Sequence, residues 1–377
     1  MGGITLSSAV RTNLNSLQAT SNLMSSVQEK LSTGKKVNSA LDNPNSFFTA
    51  KGLENRASDL STLLDDMGQS IQTLKAADKG ISAISDLVDS AKAKANQAQQ
   101  TSSQSERAQY SKEYNELMTQ IEDLAKDSGY KGKNLLGGTG NDLSVTFNED
   151  GTSSLSISSV DYTDTTSSTG LNLSDLTEAT TGTATITLSA TAALTSGDLL
   201  TDDAEFTAGD TLTLTDTNGS ELASLEITDT TTVQELEDLI DGIDGASTSL
   251  TGGALTVTAD FKLTVDSDNL TAVTTNGNDS GFAKDTDIDA TLSKLKSAQD
   301  SLRSQASTFG TNLSIVEGRQ DFTKAMINTL EEGAGKLTLA DTNEEGANLL
   351  ALQTQQTLAS TSLSLAAQAD QNVLRLF

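Results

Sequence analysis

Along residues 60–98, apolar side chains recur at alternating intervals of three and four, with one polar interruption at Asp78. This spacing places the apolar side chains on one face and predicts a single long amphipathic helix. At about 1.5 Å per residue, such a helix is roughly 60 Å long. A globular core made by a chain of this size cannot enclose so long a helix, so its partners must be long helices as well.

Two further segments, residues 105–125 and residues 288–330, have the same apolar spacing and can supply those partners. We therefore expect a helical bundle that packs along one apolar seam. The predicted seam residues are Leu64, Met67, Ile71, Leu74, Ile81, Leu117, Ile121, Leu295, Leu302, Phe309 and Leu313.

Both ends of the chain have weaker stripes of the same kind. Ser21 and Gln28 interrupt the stripe of an N-terminal helix predicted over residues 1–33, and Gln356 and Asp370 interrupt the C-terminal stripe. Interrupted seams of this kind offset little of the ordering entropy unless neighbouring helices cover them. The stripe residues are Val10, Leu14, Leu17, Met24, Leu31, Leu349, Leu352, Leu363, Ala366, Val373 and Phe377.

The middle of the chain has a different pattern. Residues 144–148 and 155–160 alternate apolar and polar side chains around a glycine turn, which predicts a β-hairpin. A helix is predicted at residues 232–243. Further strands are predicted at residues 184–188, 211–214, 223–227, 255–258 and 261–265.

The predicted fold is therefore mainly α. Long antiparallel coiled-coil arms come from both termini, together with a β-hairpin, and an acidic α+β domain is inserted between them. We predict three parts of the chain. The terminal helices comprise residues 1–45 and 337–377, the long-helix bundle with the hairpin comprises residues 46–165 and 288–336, and the acidic α+β domain comprises residues 166–287.

The net charge of −28 is placed very unevenly. Residues 141–290 contain 28 acidic residues and two basic ones, whereas the flanking arms are nearly neutral. Nearly neutral helices can pack against copies of themselves, but the acidic middle repels its own kind and nucleic acid alike. We therefore expect a solvated middle and no nucleic-acid partner.

The chain has no cysteine and no histidine, so it lacks thiolate chemistry, the usual general base and the commonest metal ligand. We therefore expect neither an enzyme nor a cofactor or metal site. Asp285, Asp287 and Asp289 have the spacing that opens a calcium loop. The loop also requires a glycine next and a glutamate at the twelfth position, where Ala290 and Lys296 stand instead. A solvated acidic linker is the preferred interpretation.

No apolar run approaches the length of a membrane span, and the N-terminus lacks the regions of a cleaved signal peptide. We therefore expect no membrane span, and export would need another route. With Pro44 as the only proline, the chain has few slow isomerisation steps to obstruct unfolding and refolding.

Several segments together resemble the terminal signatures of bacterial flagellins. They are Leu31-Ser-Thr-Gly-Lys-Lys-Val-Asn-Ser-Ala40, the following Leu-Asp-Asn-Pro and Ala50-Lys-Gly-Leu53, then Leu313 to Phe322, Leu339 to Ala347 and Asn372 to Phe377. The resemblance covers roughly residues 1–140 and 288–377 and leaves out the middle, which varies in that family. Lys35-Lys36 and Phe47-Phe48 resemble the variants found in alphaproteobacterial flagellins.

The resemblance implies a structural subunit that is exported unfolded and polymerises into the bacterial flagellar filament for swimming motility. The terminal stripes would form its self-assembly core, the bundle the next shell, and the acidic domain the outermost layer. The implied partners are other copies of the chain, the flagellar export apparatus with a chaperone at the C-terminal helix, the filament cap and the hook-junction proteins. The implied location is extracellular.

The resemblance also concerns immune recognition, because many flagellins are sensed by a Toll-like receptor through the long helix. In an ungapped alignment on Leu87, Asp89 and Ala91 stand where the receptor-binding arginines would be, and Ala93 replaces a second leucine. Glu113 matches the acidic contact position of the family. Loss of the guanidinium pairing predicts poor receptor activation.

Two alternatives remain open. A hook–filament junction protein shares the same terminal signatures but is present in few copies, and it would not grow long filaments alone. An enzyme carried in the insert is the other alternative. The known protease-bearing flagellins have a zinc motif with two histidines, which this chain lacks.

Overall fold

The structure is a computed structural model that describes residues 8–374; the side chains of residue 9 and of residues 370–374 lie outside the description. The chain divides into two compact units. The first takes in the residues up to 67, residues 146–154 and the residues from 318 onward. The second takes in residues 68–145 and 155–317.

Six helices account for most of the described residues, and the predicted mainly α class with an inserted α+β domain is confirmed. Side-chain caps mark four of the helix starts, as expected for Ser, Thr, Asn and Asp at the N-cap. Asn43 Oδ1 accepts from the Ser46 N–H, and Asp341 Oδ1 accepts from the N–H groups of Asn343 and Glu344. The Ser103 side chain accepts from the Glu106 N–H, and Thr232 and Glu235 form a capping box. The helices are α1 (Ser8–Thr33), α2 (Pro44–Gln100), α3 (Gln104–Asp127), α4 (Val233–Asp241), α5 (Asp285–Thr338) and α6 (Thr342–Leu374).

In the first unit, α1 and α6 pack against each other. Positions further along α1 contact positions further back in α6: Asn13 bonds to Ser362, whereas Lys30 bonds to Glu345. The two helices are therefore antiparallel. A second contact joins the start of α2 to the end of α5, through Ala57, Leu60, Leu330 and half-buried neighbours.

The second unit contains an antiparallel bundle made by the later part of α2, by α3 and by the earlier part of α5. Lys94 of α2 pairs with Glu113 of α3 at 2.6 Å, and Gln99 of α2 donates to Asp289 of α5 at 2.8 Å. Lys75 of α2 pairs with Glu317 of α5 at 3.1 Å, so α5 runs opposite to α2.

The predicted hairpin is present, with shorter strands than the sequence indicated. Strand β1 (Leu143–Thr146) pairs with β2 (Ser154–Ile157), and Gly151 in the turn adopts φ 69°. In the first unit the hairpin tip is held by α2, because Arg56 pairs with Glu149 at 2.6 Å.

The insert lies within the second unit and folds around a core of its own. Its sheets have the orders β3-β7-β6 and β5-β4-β8-β9, with antiparallel neighbours throughout. The core cluster draws its buried residues from positions 186–270 and takes none from the long helices. The strands are β3 (Gly182–Thr187), β4 (Thr211–Thr215), β5 (Glu221–Glu226), β6 (Ala246–Thr251), β7 (Ala254–Ala259), β8 (Thr264–Asp266) and β9 (Val273–Thr274).

Two of these strands, β6 and β9, were missed by the sequence pattern. The turn between β6 and β7 was recognised: Gly252 and Gly253 have φ 60° and 82°, a backbone that favours glycine. A hairpin turn requires a strand on both sides, so β6 could have been inferred from the glycine pair that precedes β7.

Candidate assembly surfaces

The α1–α6 seam lies one residue away from the predicted stripe on α1 at three of seven positions: 13 instead of 14, 20 instead of 21 and 27 instead of 28. The buried positions of α1 are Val10, Thr20 and Val27, with half-buried Asn13 and Leu17 between them. Starting from Val10, successive seam positions are separated by three residues and then by four, whereas the predicted stripe begins with four and continues with three. Leu14, predicted as a core residue, is therefore exposed.

The stripe on α6 agrees with the seam as far as the structure describes it. Its half-buried positions are Leu349, Leu352, Gln356, Ala359, Leu363 and Ala366. On α1, Met24 and Leu31 are also half-buried. The predicted residues Val373 and Phe377 lie outside the described side chains.

Two polar contacts lie along this pair of helices. The Asn13 amide donates to the Ser362 hydroxyl at 3.3 Å, and Lys30 Nζ lies 2.9 Å from Glu345 Oε1. The helices that carry the predicted self-assembly stripes therefore pack on each other within one chain.

A second apolar row on α6 is left uncovered within the chain. Leu350, Leu358 and Leu365 are 62–67% exposed. At about 100° per residue, their spacing of eight and seven places them together on one side of the helix. The same rotation puts the seam residue Leu363 nearly opposite this row. Leu23 on α1 is also exposed. A large apolar row of this kind is typical of an interaction surface.

The predicted bundle seam lies largely where the sequence placed it. Met67 is buried within the first unit, and Leu64 is half-buried there. In the second unit, Leu117 and Leu313 are only half-buried, and Met118 takes the buried position that was assigned to Leu117. The predicted residues that are fully buried in the second unit are Ile71, Leu74, Ile81, Ile121, Leu295, Leu302 and Phe309.

The residues predicted to face an immune receptor do not share one surface. Ala91 is completely buried in the bundle seam, so the ungapped alignment assigned a core residue to an accessible position. Asp89 and Ala93 are exposed and Leu87 is half-buried. The Gln299 amide donates to the Asp89 carboxylate.

The acidic contact position Glu113 is engaged within the chain. Lys94 donates a hydrogen bond to the Glu113 carboxylate, and this bond lowers the pKa of that carboxyl below its usual range despite partial desolvation. The same Lys94 ammonium lies 5.6 Å from the centre of the Tyr110 ring, an arrangement typical of a cation–π contact.

The three aspartates considered for calcium lie in a helix rather than in a loop. Asp285 and Asp287 are in the first turn of α5, where carboxylates favour the positive end of the helix dipole. Asp285 pairs with Arg107 at 2.7 Å, and Asp289 accepts from Gln99. Over residues 8–374, no group of three or more His, Cys, Asp or Glu is placed to hold a metal ion. None of the helices in this range is long and apolar enough to cross a membrane.

Comparison with known proteins places both arms of the chain in one family. Residues 5–141 match the bacterial flagellin N-terminal helical region, and residues 292–377 match the bacterial flagellin C-terminal helical region. Together these matches span more than half of the chain. The acidic insert lies between them.

Individual relatives agree with these matches. Flagellin A of Rhizobium meliloti is 26% identical over 97% of this chain and 96% of that protein. A flagellin of Brucella melitensis is 23% identical over 100% of this chain and 99% of its own length. A crystal structure of Xanthomonas campestris FlgL is 12% identical, covers 75% of this chain and 99% of that one, and has a TM-score of 0.35, which is too low to support an argument.

The alphaproteobacterial type predicted from the sequence variants is confirmed by the Rhizobium and Brucella relatives. With both terminal regions matched and full-length relatives found among flagellins, the chain belongs to the bacterial flagellin family.

Proposed function

We propose that this flagellin, a structural subunit of the flagellar filament, polymerises through the exposed leucine row of α6, defined by Leu350, Leu358 and Leu365. The observation that carries the proposal is that the α1–α6 seam is already occupied within the chain, while this row is not. A second copy of the chain is the partner that a homopolymer supplies.

The energy available from this row is modest for one pair of subunits. Burying a fully exposed leucine contributes about 1.5–3 kcal/mol, so three side chains that are two-thirds exposed contribute roughly 3–6 kcal/mol. Association costs an estimated 4–15 kcal/mol in lost translational and rotational freedom. Contact with a single copy is therefore weak, and several neighbours in a helical polymer are needed to offset the cost.

The remaining roles follow from the family and are part of the proposal. The chain would be exported by the flagellar secretion apparatus, with a chaperone covering the C-terminal helix until assembly at the filament cap. Hook-junction proteins would support the first subunits. The acidic α+β domain would be the outermost layer, and the role is structural rather than enzymatic.

The experiment is seeded polymerisation of purified protein, followed by sedimentation and electron microscopy. Wild-type protein should grow long filaments without other components, which also separates it from a junction protein. Leu358→Asp should abolish growth while the α1–α6 pair stays folded in the monomer. Ser360→Asp adds the same charge to an exposed position off the row, so it should still polymerise.

Two results would contradict the proposal. Filament growth by Leu358→Asp at the wild-type rate would show that the row makes no required contact. Equal loss of growth in Ser360→Asp would show that a charge anywhere on this helix is harmful and that the leucine row has no special part. Circular dichroism of each monomer checks whether the helical content is unchanged.

A further inference from the structure

The N-terminal tip of α3, residues 103–107, contacts three separate places in the acidic insert and the first residue of α5. All of these contacts lie within the second unit. Each one joins a side chain of the tip to a different carboxylate. Ser103 Oγ donates to Asp244, Gln104 Nε2 to Asp216 and Ser105 Oγ to Asp260, each at 2.8 Å, and Arg107 Nη2 donates to Asp285 at 2.7 Å.

Arg107, with a side chain that is only 7% exposed, joins the tip to the start of α5 and to the connection before it. Besides Asp285, its guanidinium donates to the carbonyl oxygens of Thr101 and Ala283, at 2.9 Å each. The Ala283 carbonyl also accepts from the amides of Gln104 and Asn218. Three donors therefore converge on the point where the chain leaves the insert and enters α5.

The attraction at this tip is polar. The first turn of a helix presents unpaired N–H groups and the positive end of the helix dipole, which favour nearby carboxylates. Arg107 adds a full positive charge to an insert that has two basic residues of its own. The apolar core of the insert takes no residue from the bundle. Hydrophobic burial therefore does not hold the body of the insert against the tip.

The connecting segments are attached separately, on the side of α3. The Asn115 side chain exchanges two hydrogen bonds with the backbone of Leu176, and Phe282 packs edge-on against Tyr114 at 5.7 Å between ring centres. The two connections also bond to each other, through Thr180 N–H and the Asn278 carbonyl. The body of the insert can therefore leave the tip while its connections stay bound.

The docked arrangement leaves several polar atoms unsatisfied. Over the described residues, the buried side-chain atoms without a hydrogen-bond partner are Gln104 Oε1, Asp260 Oδ1 and Ser280 Oγ. Two belong to the tip and its partner, and Ser280 lies in the connection that follows the insert. Buried polar groups without partners are destabilising, and opening of the contact would return Gln104 Oε1 and Asp260 Oδ1 to water.

We propose that residues 103–107 form a polar latch that positions the acidic domain on the bundle, and that this latch opens and closes while both parts remain folded. Charge-assisted hydrogen bonds and the helix dipole favour the closed state. The unsatisfied atoms favour the open one. Screening by salt weakens only the first set, so ionic strength sets the balance.

The test uses the full-length monomer and is independent of polymerisation. Because the chain has no cysteine, Lys296→Cys on α5 and Ser247→Cys on β6 give two exposed positions for selective spin labels. The distribution of distances between the labels should be single and narrow at low salt. It should gain a second population at about 1 M salt, where the Debye length is about 3 Å.

Removing a latch contact to the body of the insert should have the same effect at low salt. Gln104→Ala removes the donor to Asp216 and should shift the ratio of docked to undocked molecules by about tenfold or more, as expected for loss of a charge-assisted hydrogen bond. Gln109→Ala is the matched control, because Gln109 is exposed and its amide donates to Glu113 one turn away on the same helix. It should leave the distribution unchanged.

A second variant guards against loss of folding in Gln104→Ala. Asp244 is exposed, so Asp244→Ala removes the anionic partner of Ser103 without disturbing a core, and it should shift the ratio in the same direction. Thermal melts followed by circular dichroism check that the helices persist. An unchanged narrow distribution in both variants and at high salt would overturn the proposal. A broad wild-type distribution at low salt would overturn it as well.

Discussion

The ion pair between Lys30 and Glu345 should control how firmly the α1–α6 pair is held in register. Lys30 is in the last turn of α1 and Glu345 in the first turn of α6, so each charge also favours the dipole of its own helix. Their atoms are 2.9 Å apart, and the side chains are 32% and 12% exposed. The pair is therefore neither fully solvated nor fully buried.

The expected magnitude follows from this intermediate exposure. Exposed ion pairs contribute about 0–1 kcal/mol, whereas breaking a fully buried pair costs about 3–5 kcal/mol. We therefore expect Lys30→Ala to cost about 1–2 kcal/mol. Lys30→Glu should cost about 2–3 kcal/mol, because it adds repulsion and an unfavourable dipole interaction of about 0.3–1 kcal/mol.

The double reversal Lys30→Glu with Glu345→Lys distinguishes the contribution of the ion pair from the contribution of the two helix dipoles. It restores the attraction between the two side chains but places both charges at the unfavourable helix ends. It should therefore be more stable than either single reversal and remain roughly 1 kcal/mol below the wild type. Lys51→Glu in an exposed pair with Glu54 is the control, and it should cost less than about 1 kcal/mol.

Hydrogen exchange of the amides in α1 and α6 of the monomer measures the free-energy cost of each substitution for the α1–α6 pair. A cost of about 1–2 kcal/mol accelerates exchange from the opened pair by roughly 5- to 30-fold. If the double reversal exchanges as fast as the worse single reversal, the two side chains are not coupled. The ion pair would then have no part in fixing the register.

Three further expectations follow from burial. Ala91→Arg should destabilise the bundle in urea by about 3 kcal/mol or more, because it places a charged side chain in a filled seam, whereas Ala93→Arg at an exposed position should be nearly neutral. Gly80→Ala should destabilise, because a β-carbon would collide with side chains packed against it. Gly52→Ala, in open space within α2, should stabilise by about 0.5–1 kcal/mol. Burial raises the pKa of Tyr114. Stability should therefore be intact below about pH 10 and decline as the pH rises further, and Tyr114→Phe should reduce that decline in urea titrations.

The long helices could be predicted because their signal is local and repeated. Between Leu74 and Ile81, the sequence indicated a polar interruption at Asp78, whereas the structure continues the seam through Ala77, which is completely buried. Alanine counts little in an apolar pattern, but in a close helix pair a small side chain fills the seam position well. The interruption was therefore only apparent.

Which face of α1 packs against α6 could not be predicted with the same reliability. Asn13 and Thr20 occupy seam positions, while Leu14 is exposed. An apolar stripe identifies a helix face only when the apolar residues outnumber the polar ones on that face. The partner helix lies more than 300 positions further along the chain, and its polar contacts decide the phase without any local trace in the sequence.

Strand β6 and the α3 tip were missed for related reasons. In β6 the only large apolar residue is Leu250, so alternation gave almost no signal. The contacts of Gln104 and Arg107 reach residues more than 100 positions away. Their polar side chains resemble an ordinary exposed helix start, where Ser and Gln are common. Their role depends on tertiary structure and leaves no periodic pattern.

The difference between the predicted and the proposed assembly residues follows from the limits of an apolar stripe as a signal. A stripe shows that a face needs a partner, but not whether the partner belongs to the same chain or to another copy. The two helices that carry the terminal stripes of this chain pack on each other. Residues outside both stripes then become the candidates for contact between copies. Leu358 is one of them, and it was inconspicuous in the sequence because it belongs to no regular stripe of three and four. Intermolecular surfaces of such a helix can therefore be identified only after the intramolecular pairing is known.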